Sequence, residues 1–435
     1  MATDQRVDTP ASGRALMPVG AAWARRNAPE FMGGNQVRLL QGGDELFPAM
    51  HSAIAQARRE VMLATYIFHD DDAGRAMAEA LCAAGRRGVR VCVVVDGFGS
   101  KGTLARLREW MPQPEVELVV FRPVGSWWSL LQPGQLRRLH QKLCTVDREI
   151  GFVGGINIID DRIDLRHGRS DAPRLDFAVE LRGPVAASAA QSARAVWTRA
   201  AMGADWKEEM VSLAKSAQPL ARMRRVMQRL RMVAPPTAQV QPQQPVVAAF
   251  VVRDNLRQRR SIERAYIEAV LRARQRVDLV TPYFYPGRMF RRALFRAAQR
   301  GARVRLLLQG KIDYRFAALA AQVQYDELRR HGIEIHEYTP AFLHAKVALV
   351  DDEWATIGSS NIDPLSLLLN LEANVIVQDA GFTRELSQRF DAAIAASREV
   401  TDASRGIGWR PVMLRGFVAW CANWFLRMAG ITGRY

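Results

Sequence analysis

Two stretches of the chain carry the same unusual combination of side chains. Residues 139–147 read LHQKLCTVD and residues 343–351 read LHAKVALVD, so His140, Lys142 and Asp147 recur as His344, Lys346 and Asp351. Side chains two apart in extended chain lie on one face, and an imidazole and an ammonium placed there together are costly unless something anionic sits between them. The match runs on: Asn157 in GGIN follows the first aspartate by ten residues, and Asn361 in GSSN follows the second by the same interval. With 7 histidines and six lysines in 435 residues, two chance copies can be set aside. The lysines are telling, because the chain has 55 arginines and uses them almost wherever a positive charge suffices. A compact ammonium is wanted in the motif, and a guanidinium fork is not.

These residue types suit phosphodiester transfer. A neutral imidazole can attack phosphorus, a protonated one can return a proton to the leaving alkoxide, and two ammonium groups with amide donors can hold the charge on the phosphoryl oxygens. Two histidines in opposite protonation states allow this near neutral pH. No metal or cofactor is expected, since Lys142 and Lys346 take a metal's electrostatic place and no Walker, HExxH or GxSxG sequence occurs. Each imidazole needs an acceptor on its far nitrogen; Asp176 in RLDFAVEL and Glu372 in NLEANVIV, equivalently placed after the motifs, are the candidates. Asn157 and Asn361 are candidate phosphate-binding residues, with Gly154, Gly155 and Gly358 expected to let backbone come close to a ligand. Asp147 and Asp351 belong to the motif and are counted with the catalytic set. Their places at strand ends also suit structural hydrogen bonds or balancing of the lysine charge.

Positioning these groups takes two copies of one scaffold. AIAQARREVMLATYIF is matched by AVLRARQRVDLVTPYF, a helix followed by an apolar strand. ALCAAGRRGVRVCVVVDG is matched by ALFRAAQRGARVRLLLQG, a second helix closed by Gly88 or Gly301 and a second strand closed by Gly97 or Gly310. The repeat implies two alternating α/β domains related by duplication, at residues 36–215 and 246–402. Between them, residues 216–245 hold a basic amphipathic helix and a Pro/Gln linker; the helix suits either a membrane surface or packing on its own domain. Residues 1–35 carry no assignable pattern. Gly97, Gly99 and Gly102 have GxGxxG spacing, but they follow the second strand and their repeat partner lacks the glycines, so they are read as a βα turn and not a nucleotide site.

The formal net charge of +17 points to anionic partners: nucleic acid, acidic lipid surfaces or phosphorylated small molecules. Four cysteines without CxxC spacing predict buried thiols in a reducing compartment. No apolar run is long enough to span a bilayer. The chain is instead expected to lie on one, with Trp127 and Trp128 in a loop and Trp420 and Trp424 in the Trp/Arg-rich tail, residues 403–435, as candidate membrane contacts. Buried core aromatics are the alternative for the loop pair. The same charge and chemistry would serve a nuclease, although aromatics set in these segments and not interleaved with basic residues near the site favour lipid.

The two HxKxxxxD copies with their Gly-rich Asn extensions resemble the motifs of the phospholipase D superfamily, and LHAKVALVDDEWATIGSSNIDPLSLLLNLEANVIV is similar to bacterial cardiolipin synthases, in particular the short type designated B, over about Gln36 to Val400. That resemblance implies a monomer of two α/β domains with mixed central sheets, pseudo-twofold symmetry and one site at their interface. It implies His140 as the nucleophile that becomes a phosphohistidine and His344 as the acid and base. It also implies the reaction: one phosphatidylglycerol donates its phosphatidyl group, glycerol leaves, and a second phosphatidylglycerol accepts, at the cytoplasmic face of the bacterial inner membrane. A phospholipase releasing phosphatidic acid would differ only in whether water or a lipid hydroxyl reaches the intermediate.

Overall fold

The computed structural model describes residues 28–124, 137–165, 167–204, 246–254, 258–311, 324–363, 366–367 and 369–401. The Trp127–Trp128 loop, the amphipathic helix and linker before residue 246, the N-terminal residues to 27 and the tail from 402 with Trp420 and Trp424 lie outside them.

The first half runs β1 (Met32–Gln41), α1 (Gly42–Ala55), β2 (Glu60–Thr65), α2 (Asp72–Arg86), β3 (Arg90–Asp96), α3 (Leu104–Trp110), β4 (Glu117–Phe121), β5 (Leu143–Val146), β6 (Ile150–Gly154), the short pair β7 (Ile163–Asp164) and β8 (Gly168–Arg169), β9 (Phe177–Arg182) and α4 (Pro184–Ala204). The second repeats it with β10 (Val246–Arg253), α5 (Ser261–Arg272), β11 (Arg276–Thr281), α6 (Arg288–Gln299), β12 (Arg303–Gln309), β13 (Glu334–Tyr338), β14 (Val347–Val350), β15 (Trp354–Gly358), β16 (Glu372–Gln378), α7 (Ala380–Ala395) and β17 (Ser397–Glu399).

Local chemistry explains these elements. The runs VMLAT and VCVVVD are continuously buried, as central strands covered on both faces must be. Helix α2 starts where the Asp71 carboxylate accepts from Gly74 N–H at 2.9 Å and ends before Gly88 at φ 84°, the left-handed geometry that closes a helix on glycine. Helix α6 ends the same way before Gly301 at φ 91°, and it buries Phe290, Ala293, Leu294 and Ala297, the 3-4 spacing of a single stripe.

The expected mixed sheets are present, and they fuse. One 15-stranded sheet runs β17-β13-β12-β11-β14-β15-β16-β10-β1-β9-β6-β5-β2-β3-β4. Strands β2, β3 and β4 are parallel, as are β11, β12 and β13, while the pairs leading to the centre are antiparallel. Outward from the β1–β10 seam the two arms follow the same order, with β17 added beyond β13 on one of them, and at the seam Asn35 is pinned by donating to Met32 O and Val246 O. One face carries separate cores under α1 to α3 and under α5 and α6. On the other face a single core passes unbroken from α4, through Val185, Ala189 and Val196, to Phe382, Leu386 and Phe390 of α7. That shared core and the seam hold the two halves in fixed register, which is what a site split between them requires.

Candidate active site

The motif residues sit just ahead of β5 and β14 and not inside them, since the strands begin at Leu143 and Val347. The reason lies in their backbone partners. His140 N–H donates to Leu371 O at 3.0 Å and Leu371 N–H to Arg138 O at 2.8 Å; likewise His344 N–H donates to Leu175 O at 2.9 Å and Leu175 N–H to Phe342 O at 2.9 Å. Each motif segment therefore forms an isolated parallel bridge with the segment leading to the acid of the opposite half.

Those bridges fix the side chains. His140 Nδ1 lies 3.0 Å from Glu372 Oε2 and 3.2 Å from Ser359 O; His344 Nδ1 lies 2.6 Å from Asp176 Oδ2. The acids proposed from sequence thus do meet the histidines, and they meet them crosswise: each imidazole is oriented by the other half's carboxylate. At His140 both neighbours of Nδ1 are acceptors, so Nδ1 carries the hydrogen and Nε2 is left with a lone pair. Lys142 Nζ donates to His140 O at 2.7 Å, and Lys346 Nζ donates to His344 O. The two ammonium groups and two carboxylates, all buried, balance in charge when ionised.

Burial dominates the electrostatics. It lowers His140, with Glu372 opposing, and so keeps the imidazole neutral. It lowers Lys142 to about 8 and Lys346 to about 7 despite the nearby carboxylates. For Glu372 burial pushes upward, but His140, Lys142 and the Ser359 hydroxyl, 2.5 Å from Oε2, outweigh it and hold the carboxyl below its usual value. Asp176 has no such hydroxyl, and burial pushes it up to about 7 against the pull of Lys346. His344 is depressed by burial and by Lys346, Arg174 and Lys142. Asp176 and His344 titrate as one unit, and their short contact keeps one proton to near neutrality.

The other motif residues divide. Asn157 is buried with Oδ1 accepting from Ile67 N–H at 3.1 Å, and Asn361 is buried with Oδ1 unpartnered. Asp147 and Asp351, counted with the catalytic set, are placed otherwise. Asp147 accepts from the N–H groups of Arg58, Arg59 and Glu60 at 2.8, 2.7 and 2.9 Å, and Asp351 accepts from those of Arg274, Gln275 and Arg276. Five residues of extended chain put each about 16 Å from its lysine, at the far end of the strand and away from the crossed histidine–carboxylate pairs. The motif glycines also differ from expectation. A Cβ on Gly154 would strike Ala178, one on Gly155 the Asp176 carboxylate, and one on Gly358 the Asn374 side chain. They make room for the neighbouring strand and its acid and not for ligand. The glycines at 97 and 99 serve the same end, close to Arg122 O and Tyr66 O, as a βα turn should.

Several contributors escaped the sequence reading. Asp96 Oδ2 accepts Leu139 N–H at 2.9 Å, and Gln309 Oε1 accepts Leu343 N–H at 2.8 Å, so equivalent residues ending β3 and β12 hold both motif segments. The repeated VVVDG and LLLQG, each with a polar residue closing a buried strand, carried that signal. Ser359 braces Glu372, whereas the matching position in the first half is Gly155. Tyr66 meets the His140 ring edge-on at 5.1 Å and lies 5.5 Å from Lys142 Nζ. Arg138, two residues before His140 and 8% exposed, donates to Arg122 O at 3.1 Å and keeps Nη2 buried without a partner.

Comparison with known proteins places this geometry in a family. The family profile described as "Cardiolipin synthase, PLD-like domain" matches residues 50–167 and 266–394, one span on each motif or its flanking scaffold. Cardiolipin synthase B of Escherichia coli strain K12 is 35% identical over 373 residues, covering 85% of this chain and 83% of that one. Cardiolipin synthase A of Pseudomonas fluorescens is 30% identical, covering 85% of this chain and 70% of that one. Among solved structures, phosphatidylserine synthase of Haemophilus influenzae superposes with a TM-score of 0.64 at 13% identity, over 95% of this chain and 98% of that one, a likeness of fold. The duplicated scaffold, the crossed pairs at its seam and these relatives agree, and the chain belongs to the cardiolipin synthase family of phospholipase D-like proteins.

Proposed function

We propose that the protein is a phosphatidyltransferase that moves the phosphatidyl group of one phosphatidylglycerol onto the hydroxyl of a second, giving cardiolipin and glycerol. The observation that carries this reading is the pair of crossed histidine–carboxylate contacts with both lysines beside them. In the first step His140 Nε2 attacks phosphorus, the bond to the glycerol oxygen breaks, and the proton kept by the Asp176–His344 pair goes to that oxygen. Lys142 and Lys346 offset the charge on the non-bridging oxygens. In the second step the acceptor oxygen attacks phosphorus, the P–N bond breaks with its electron pair returning to His140, and His344 takes the hydroxyl proton. One phosphodiester replaces another, so the reaction needs no input of energy. The net charge of +17 supports work as a peripheral enzyme on an anionic membrane surface, and the reading places it there as a monomer on the cytoplasmic face. Among the described residues no helix is long and apolar enough to cross a membrane.

The test is purified protein with phosphatidylglycerol vesicles followed by lipid analysis. Cardiolipin plus glycerol is the expected outcome, and phosphatidic acid alone would make the protein a hydrolase. Samples of His140→Ala quenched in alkaline denaturant, where a phosphohistidine P–N bond survives, should contain no phosphoenzyme, while His344→Ala accumulates it. Phosphoenzyme persisting without His140 would reverse the two roles.

A further inference from the structure

Beside His344 the two halves leave an open cleft of about 390 Å³, whose lining includes His167, Arg169 and Asp171 from the first half and Lys311, Pro340 and Phe342 from the second. We propose that this cleft is the acceptor's phosphate subsite: it holds the phosphodiester of the second phospholipid, the one that does not react, while that lipid's hydroxyl is presented to His344. The inference rests on the transfer reading above and adds to it where the acceptor sits.

Three observations converge on the cleft. Position comes first. Phe342 is two residues ahead of His344 in extended chain and bridged to Leu175, so the cleft opens about 7 Å from the imidazole's backbone, the scale of a three-carbon bridge between two phosphates. Charge comes second. Arg169 is exposed and Lys311 projects from its anchor on Pro340 O at 3.1 Å, with Nζ 5.7 Å from the Phe342 ring; Arg174, which bears on His344, adds a third cation nearby. His167 is tied to Asp164 at 2.8 Å, so Asp171 is the lone carboxylate among the described lining residues. A phosphodiester monoanion in such a wet, cationic cleft keeps much of its hydration and gains counter-charge.

Asymmetry comes third. In the repeat, Lys311 and Phe342 correspond to Phe98 and Arg138, and on that flank the Arg138 guanidinium lies over the Phe98 ring at 5.4 Å and bonds inward to Arg122 O. A half-buried lysine beside a half-buried ring on one flank becomes a buried arginine beside an exposed ring on the other. Of these two cations, the one that reaches solvent is Lys311, beside His344, where the acceptor's hydroxyl must surrender its proton. In that step the hydroxyl oxygen attacks phosphorus on His140, the P–N bond breaks toward the imidazole, and the proton passes to His344.

The experiment uses the full-length protein on phosphatidylglycerol vesicles in buffer containing labelled glycerol. Both acceptors draw on the same phosphoenzyme: phosphatidylglycerol brings a phosphate and yields cardiolipin, whereas glycerol brings none and yields labelled phosphatidylglycerol by reversal of the first step. Taking their ratio cancels any change in vesicle binding. Arg169→Ala with Lys311→Ala should lower the ratio of cardiolipin to labelled phosphatidylglycerol roughly three- to tenfold, the size of two exposed charge contacts. The charge-keeping pair Arg169→Lys with Lys311→Arg should retain it. An unchanged ratio in the alanine pair, or an equal loss in the charge-keeping pair, overturns the subsite while leaving transfer intact. Wild-type protein that makes only phosphatidic acid overturns the transfer reading and the subsite with it.

Discussion

A phosphodiester arriving between His140 and His344 meets two ammonium groups that burial has made easy to discharge. With Lys346 lowered to about 7 and Lys142 to about 8, the empty site sheds protons as pH rises through that range, and an anion must bring them back to be held. Binding of sulfate, a tetrahedral anion that does not titrate near neutrality, should therefore weaken above about pH 7 with measurable proton uptake in calorimetry. Affinity that stays flat to about pH 9 would show that the lysines remain charged in the empty site. Ser359 separates the two histidine pairs: its hydroxyl helps keep Glu372 ionised, and nothing equivalent reaches Asp176. Ser359→Ala should slow phosphoenzyme formation and move the acid limb of its pH profile up by about one pH unit, the size of one hydrogen bond to a charged group. A lower rate with an unmoved limb would mean packing alone. The histidines, lysines and acids were legible because repetition exposed them. Ser359 was not, since its counterpart is a glycine and the repeat hides what only one half does.

Between residue and domain, the motif aspartates act as braces for elements. Asp147 and Asp351 have φ of 53° and 50°, and each gathers three N–H groups from the turn that launches β2 or β11, the strands packed beside the motif strands. Removing Asp147 strips those donors of their acceptor, and Asp147→Ala should cost about 2 kcal/mol, read as a lower midpoint in thermal or urea unfolding. Its folded pKa is depressed, so this stabilisation is present above the carboxyl's unfolded value and disappears as acid protonates it. Asp147→Asn should recover part of the loss, because asparagine tolerates the left-handed backbone. A collapse of activity with unfolding unchanged would return Asp147 to the catalytic set. Helix and strand identities were readable from periodicity and from the closing glycines. The antiparallel β1–β10 seam was not, because MGGNQVRLLQ mixes polar and apolar residues without a clean alternation and nothing local names a strand's partner.

At the scale of the whole molecule, the crossed pairs make the halves one catalytic unit. Glu372 stands 232 residues from His140, and Asp176 stands 168 from His344. Glu372→Gln should depress phosphoenzyme formation on the order of a hundredfold or more, as loss of an imidazole's orienting charge does elsewhere. Asp176→Asn should act chiefly on the proton given to glycerol and flatten the dependence on pH near 7. If Glu372→Gln changed only the second step, each acid would serve its own half's histidine. Sequence equivalence identified both acids but could not pair them, since the exchange is a property of two lead-in segments bridging across the seam.

That exchange also orders events during synthesis. His140 leaves the ribosome long before Glu372, and at ordinary elongation rates the interval is roughly ten to fifty seconds. Until the end of that interval the imidazole lacks its acceptor, and for most of it the proton donor opposite, His344, is also missing. On the proposed mechanism a half-made chain should meet a phospholipid surface without cutting it, and the crossed wiring would serve as a safety catch released when the second half has folded.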